Sequence, residues 1–268
     1  CMLCHMRFGR IATPEGMTFA VIDDEGKTAK AIAGTPFTDP EYTGKEYALE
    51  DVRLLAPTLP SKVVAVGRNY ADHVAEVFKK SAEHLPPTIF IKPSTAVVGP
   101  GAAIKIPEYA TGVEFEGELA LVVGVPCKNV KAAGWKSVIR GVTIINDVSS
   151  RDLQFADGQW ARAKGIDTFG PIGPWIETDL EKFDFANLPI KAHHTHDGVT
   201  ETKQDSNSNQ MIKTVGEMVE WVSESFTLLP GDVIATGSPA GTAEMVPGDY
   251  IEVEIPGIGK LGNPVERA

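Results

Sequence analysis

Apolar and polar positions along this chain fall into short runs at irregular intervals. Phe19-Ala20-Val21-Ile22 reads as a strand, Asp23-Asp24-Glu25-Gly26 as the turn that closes it, and Ala29 to Ile32 as its returning partner. A proline-marked junction, Leu54-Leu55-Ala56-Pro57 with Thr58-Leu59-Pro60, ends this part. Beyond it, Val63 to Val66, Ile89 to Ile91, Leu119 to Gly124, Gly141 to Ile145, Val233 to Ala235 and Tyr250 to Val253 read as strands. Helical spacing is confined to Tyr70 through about Lys80 and to Gly216–Ser225, where Met218, Val219, Trp221 and Val222 are expected to face the core. Asp205 to Asn209 reads as a polar loop. Alternating strand–helix units are missing, so the pattern predicts a β-rich α+β fold. The expected division is a leader or remnant over residues 1–5, a small N-terminal β-rich domain over 6–57 and a larger domain over 58–268.

The 268 residues can bury a large core. A net charge of −11 excludes nucleic acid as an expected partner, because its phosphates would be repelled. No apolar run reaches membrane-span length and no secretory pattern is visible, so a cytoplasmic protein without a membrane partner is expected. The three cysteines cannot make a disulfide framework. Cys1-Met2-Leu3-Cys4-His5 spells a haem-attachment motif, but it sits at the extreme end and is set aside as part of the leader.

The segment Val113-Glu114-Phe115-Glu116-Gly117-Glu118-Leu119 carries most of the chemistry. A strand extending back to Glu114 would put Glu114, Glu116 and Glu118 on one face, where like charges repel. Their run into an apolar stretch calls for a countercharge, and a metal ion supplies one. Asp147 ends a second apolar strand and would complete an all-oxygen set suited to Mg²⁺, Mn²⁺ or Ca²⁺. The spacing alone leaves a solvated acidic strand face equally open.

Several groups nearby carry compatible chemistry. Arg151 is able to clamp a carboxylate and would share a face with Gln154 on a helical turn. Lys164 precedes a turn-rich stretch. His73 and Glu76, three apart on the first helix, form a possible general-base pair beside the simpler reading of a surface pair. His193, His194 and His196 are read as an exposed strand and turn rather than a zinc site, and Cys127 as an unactivated loop thiol.

Six segments in order resemble the fumarylacetoacetate hydrolase family: Val66-Gly67-Arg68-Asn69-Tyr70-Ala71-Asp72-His73, Phe90-Ile91-Lys92-Pro93, Glu116-Gly117-Glu118-Leu119, Asn146 to Gln154, Lys164, and Pro230 to Gly241. The resemblance implies a mixed β-sandwich or roll, usually homodimeric. It also implies a Mg²⁺ or Mn²⁺ site at Glu116, Glu118 and Asp147, with Glu114 outside the ligand set. On the same grounds His73 and Glu76 are catalytic on a lid helix. Gln154, Lys164 and Ser238 contact a bound small 2-oxo acid, and Arg151 is a further candidate contact. Ser150 and Ser238 stand where Ala and Thr are usual in the family. The implied chemistry is cleavage of a C3–C4 bond through an enolate, with Lys164 adding positive charge where the enolate develops. Oxaloacetate decarboxylation is the first expectation and acylpyruvate hydrolysis the second. Isomerase or decarboxylase activity on aromatic-degradation intermediates and a non-catalytic metal-binding module are the alternatives.

Overall fold

The structure, a computed structural model, describes residues 5–79 and 85–268. Cys1 and Cys4 of the haem-like motif, and Lys80 at the expected end of the first helix, lie outside the described residues.

Two sheets form the body. The larger runs, neighbour to neighbour, through Glu41–Ala48, Thr28–Ala33, Gly16–Ile22, Arg7–Thr13, Gly170–Glu177, Ile139–Asn146, Gly117–Val123, Val233–Ala235, Val63–Gly67 and Thr88–Lys92. The smaller orders Val199–Asn207, Pro189–His196, Tyr250–Ile255, Gly259–Arg267 and Ile104–Ile106. The first strand, Arg7–Thr13, pairs with Gly170–Glu177 through Arg7 opposite Glu177 and Phe8 opposite Ile176, so the amino-terminal strands prolong the larger sheet.

Every residue of Gly117–Val123 is buried, because apolar material covers both faces of this central strand. Leu119, Leu121 and Val123 pack into one core with Ile190, Ile251, Val253 and Leu261 of the smaller sheet. Ala120 and Val122 pack on the opposite face with Val63, Ala65, Val233 and Phe8. That is why this segment reads as a continuous apolar run instead of an alternating one.

The helices are few, as expected. Val215–Ser225 begins with a capping box in which Thr214 and Glu217 satisfy each other's backbone N–H groups. Met218, Val219 and Val222 are buried, whereas Trp221 is half-buried and stacks against Lys213. The other helix predicted from spacing is Ala71–Phe78. A short helix, Arg151–Asp157, follows the strand end at Asp147, and Ala161–Lys164 adds a single turn.

Two expectations about local structure fail. Asp205 to Asn207 is not loop but the end of Val199–Asn207, with Asp205 opposite Lys191 and Asn207 opposite Pro189. This is the exposed outer strand of the smaller sheet, so polar residues are tolerated and no apolar period announces it. The strand through the acidic segment is also broken. Val113–Glu114 pairs with Ser149–Ser150, and the central strand restarts only at Gly117. Side chains take the backbone bonds at the break: Glu116 N donates to Asn146 Oδ1 at 2.9 Å, and Gly117 N to Gln204 Oε1 at 2.9 Å. A Cβ on Gly117 would sit 2.8 Å from Val253 Cγ1, which excludes a larger residue at that point.

The histidine cluster differs from its exposed reading as well. His193 and His196 are at least partly exposed, but His194 is buried, its Nε2 2.8 Å from Asp249 Oδ2, while His196 Nδ1 lies 2.7 Å from Asp249 Oδ1. His196 is held above the ordinary histidine pKa, first by its hydrogen bond to Asp249 and then by the charges of Asp197 and Asp249. Burial works to raise Asp249, but the Val246 N–H, His196 and His194 outweigh it and hold the carboxyl below its usual value. The raised His196 stabilises the fold fully below the unfolded histidine pKa of about 6.5, and this is lost as pH rises through its folded value. The lowered Asp249 stabilises above the unfolded value of about 3.9, and this is lost as pH falls through its folded value. The difference in melting temperature between wild type and His196→Ala is therefore expected to be largest between about pH 4 and 6.5. It should shrink steadily above that window, and a difference independent of pH would contradict the assignment.

Candidate metal centre and active site

The break at Phe115–Glu116 separates the acidic residues that spacing placed together. Glu114 turns to Arg151 Nε at 2.8 Å and Thr242 Oγ1 at 2.8 Å. Glu116, Glu118 and Asp147 instead converge, with one carboxylate oxygen from each lying within 4.8 Å of the others. All three are nearly inaccessible, at 4%, 2% and 1% exposure. Asp147 is brought in by the strand Ile139–Asn146, which pairs Asn146 opposite Gly117, and by its own N–H donating to Glu116 O at 2.8 Å.

Three cations face these carboxylates. Lys164 Nζ bridges Glu116 Oε2 and Asp147 Oδ2, each at 2.7 Å. Lys92 Nζ reaches Asp147 Oδ1 at 2.5 Å and Val148 O at 3.2 Å. Arg151 Nη1 lies 2.7 Å from Glu116 Oε1 and donates to Gln154 Oε1 at 2.9 Å. Neither Arg151 nor Lys164 is thus the surface charge that each would be in isolation.

The electrostatics follow from burial and neighbours. Burial acts to raise Glu116, but Lys164, Arg151 and His73 overcome it and hold the carboxyl well below its ordinary range. Glu118 is pushed well above, first by burial and then by the charges of Asp147 and Glu116, against only partial relief from Lys164 and the Gly237 N–H at 2.7 Å. Burial lowers Lys92, whereas in Lys164 the attraction of Asp147 and Glu116 exceeds the cost of burial and raises it.

His73 and Glu76 do come together. On the helix Ala71–Phe78, His73 Nδ1 lies 3.5 Å from Glu76 Oε2, and Nε2 lies 3.8 Å from Glu116 Oε1. Glu76 accepts from Gly241 N at 3.1 Å, which ties the helix to the loop that follows Val233–Ala235. Its pKa is lowered, first by the interaction with His73. Ser238 is buried beside Gly117, its Oγ accepting from Gln204 Nε2 at 2.8 Å.

Sequence reasoning assigned no role to Lys92, Tyr70, Ser149 or Gln204. Lys92 ends a strand whose polarity is inverted, with Ile91 exposed and Lys92 fully buried, so alternation would have sent the lysine outward. Ser149 Oγ donates to Glu116 Oε1 at 3.1 Å. Tyr70 OH, His73 Nδ1 and Arg151 Nη2 are buried without a hydrogen-bond partner among the described residues. The Tyr70 phenol is pushed upward by burial and then by Glu118.

The donor set fits a hard divalent cation. Three buried carboxylates offer oxygen only, and their charge exceeds that of the two lysines beside them. The orphaned donors around them are the kind of groups that a bound oxyacid satisfies.

The family model for the C-terminal domain of fumarylacetoacetate hydrolase matches residues 62–266, and an Rv2993c-like N-terminal model matches residues 6–57. The chain belongs to the fumarylacetoacetate hydrolase family. Its fold is that family's fold: the crystal structure of Cg1458 with inhibitor superposes with a TM-score of 0.97 at 74% identity, covering 98% of this chain and 100% of that one. Fumarylpyruvate hydrolase from Pseudomonas aeruginosa, solved in complex with Mn²⁺ and pyruvate, superposes at a TM-score of 0.71 and 29% identity, covering 81% of this chain and 92% of that one. The mitochondrial oxaloacetate tautomerase Fahd2a of Rattus norvegicus is 38% identical over 80% of this chain and 69% of its own length. Members of the fumarylacetoacetate hydrolase family therefore include hydrolases and tautomerases acting on small molecules. No described helix is long and apolar enough to cross a membrane.

Proposed function

We propose that the chain is a Mg²⁺- or Mn²⁺-dependent enzyme of 2-oxo acid enolate chemistry, and that its reaction is decarboxylation of oxaloacetate to pyruvate. The observation that carries this reading is the convergence of Glu116, Glu118 and Asp147 under Lys164, beside Arg151 Nη2 and Tyr70 OH, which are buried without a hydrogen-bond partner among the described residues. Glu116, Glu118 and Asp147 would hold the ion, which when bound supplies Lewis-acid stabilisation of an enolate. Glu114, Glu116, Glu118 and Asp147, with Lys92, Lys164, Arg151 and a divalent ion, sum to one net positive charge when all are ionised, which suits an anionic substrate. Arg151 Nη2 and Gln154 take the C1 carboxylate, with the Ser238 hydroxyl as a further contact. Lys164 holds positive charge where the 2-oxo oxygen receives the electron pair of the breaking C3–C4 bond. CO₂ leaves without an attacking water, and the enolate then takes a proton at C3 from solvent to give pyruvate, so decarboxylation does not require the His73–Glu76 pair. Hydrolysis of an acylpyruvate does, because water must there be deprotonated.

The test is pyruvate formation from oxaloacetate with Mn²⁺ or with chelator. Free Mn²⁺ decarboxylates oxaloacetate, so Glu116→Gln protein in the same metal buffer is the blank. Saturable turnover above the blank, abolished by chelator and largely kept by Glu76→Gln, is expected. Activity on acylpyruvates alone, lost in Glu76→Gln, would replace the decarboxylase reading with the hydrolase one. The rat relative favours a second reading, enol–keto tautomerisation of oxaloacetate, which uses the same enolate but leaves C3–C4 intact. Enol decay without pyruvate would select it.

A further inference from the structure

Outside the carboxylate centre, the smaller sheet brings two imidazoles and a carboxylate together. His194 and His196 lie two apart on the strand Pro189–His196 and so share one face. The neighbouring strand runs antiparallel, with His194 opposite Ile251 and Thr195 opposite Tyr250. Asp249 precedes that strand by one residue, which brings it level with His196. One donor atom from each of His194, His196 and Asp249 lies within 4.8 Å of the others. The carboxylate is oriented by the Val246 N–H, 2.8 Å from Asp249 Oδ2, and the His194 ring by Phe115, with centroids 5.6 Å apart. Outer contacts of this kind fix ligand atoms before an ion arrives.

The cluster is reached from solvent. His194 and Asp249 are buried, whereas His196 is exposed. Both histidines line a surface cavity of about 330 Å³, together with Asp197, Glu201 and Lys203. Lys203 is engaged by Glu201 at 2.5 Å, and among the described residues no lysine or arginine pairs with Asp249. The opposite face of the same strand gives the contrast. There His193 groups with Glu252 and Glu254, but Lys260 Nζ already lies 2.7 Å from Glu252 Oε1 and 3.5 Å from Glu254 Oε2. Imidazole donors also set the choice of ion: they suit Zn²⁺ and similar transition metals, whereas Mg²⁺ and Mn²⁺ prefer oxygen. Ligands of a tetrahedral zinc stand roughly 3.3 Å apart, so the His–Asp spacings of 2.7 and 2.8 Å widen by only about half an ångström once the shared protons leave.

We propose that His194, His196 and Asp249 form a second metal site, taking Zn²⁺ or a zinc-like ion with water in its fourth position. The ion ties the strand Pro189–His196 to the residue that leads into Tyr250–Ile255, so its role is to brace the smaller sheet and not to take part in turnover. The site stands apart from Glu116, Glu118 and Asp147 and does not depend on the reaction assigned to them.

The experiment titrates Co²⁺ into wild type, His196→Ala, His196→Gln and Glu116→Gln at about pH 8, where imidazoles are free of protons. Excess Mg²⁺ occupies the carboxylate centre, and Cys1 and Cys4 are replaced by Ser in every protein so that their thiols do not take the ion. Wild type and Glu116→Gln should bind a single equivalent of Co²⁺ with the visible absorption of a tetrahedral site, and Zn²⁺ should displace it. Zn²⁺ should also raise the melting temperature of both. His196→Ala should weaken Co²⁺ binding by at least about 100-fold and abolish the Zn²⁺-dependent rise. Unchanged Mn²⁺ affinity at the carboxylate centre checks that the variant is folded. His196→Gln, which keeps a hydrogen-bonding side chain at the same exposed position, should lose the ion as well. Failure of the wild type to bind Co²⁺ beside Mg²⁺ overturns the site, as does affinity within about threefold of wild type in both His196 variants. Co²⁺ binding lost in Glu116→Gln but kept in His196→Ala assigns the ion to the carboxylate centre and likewise overturns it. Binding without a rise in melting temperature overturns the bracing role.

Discussion

Replacing Glu116 by Gln is expected to reduce turnover to that of the free metal ion. Gln keeps the shape of the side chain but removes an anionic oxygen from a set of three and leaves Lys164 and Arg151 facing a neutral amide. Mutation of a group one shell outside a metal typically costs about 10–100-fold in affinity or activity, and loss of a direct ligand should exceed that. Titration of Mn²⁺ followed by electron paramagnetic resonance should show the weakened binding directly, with oxaloacetate turnover falling in parallel. Undiminished Mn²⁺ affinity in Glu116→Gln would remove Glu116 from the ligand set. Undiminished affinity with lost turnover would recast it as a group that only positions Lys164 and Arg151.

Lys164→Met should affect stability and rate, in a way that separates the two. Lys164 is buried against two carboxylates, so its loss leaves Glu116 and Asp147 short of one compensating charge. Breaking a buried pair from one side costs about 3–5 kcal/mol, and the remaining Lys92 and Arg151 place this case at the lower end. Denaturant unfolding with chelator present should show that deficit. Added Mn²⁺ should recover more stability in the variant than in wild type, because the ion then replaces the bridge that Lys164 made between Glu116 and Asp147. The rate should not recover. Removing a fixed charge from the developing enolate costs about 10²–10³ in kcat. A metal-restored variant with wild-type kcat would make Lys164 a structural ion-pair partner and nothing more.

Much of the site was legible because its parts sit in short segments whose residue types are individually informative. Glu116, Glu118 and Asp147 stand at the ends of apolar strands, and Arg151 and Gln154 share a helical turn. The family resemblance then set Glu114 apart from Glu116, Glu118 and Asp147, a distinction that strand alternation had hidden. Its physical basis is the break at Phe115–Glu116, made by Asn146 and Gln204 capturing backbone N–H groups from distant segments. No local pattern encodes such a capture. Lys92 was missed for a similar reason: its strand places an isoleucine outward and the lysine inward, against the usual reading of alternation. The strand content of residues 205–207 was masked by edge exposure, and the burial of His194 depends on Asp249, which is remote in sequence.

The pairing of Arg7 and Phe8 with Glu177 and Ile176 has a mechanical consequence. An appended module joined only by a flexible linker can tumble independently of the body that carries it. Here the joint is a rung of the ladder itself, so tilting the amino-terminal strands would twist Gly170–Glu177, and through it Ile139–Asn146, the strand leading into Asp147. The front of the chain is in this sense a lever arm clamped to the strand that carries Asp147: a load applied there is felt as torsion at the buried carboxylates.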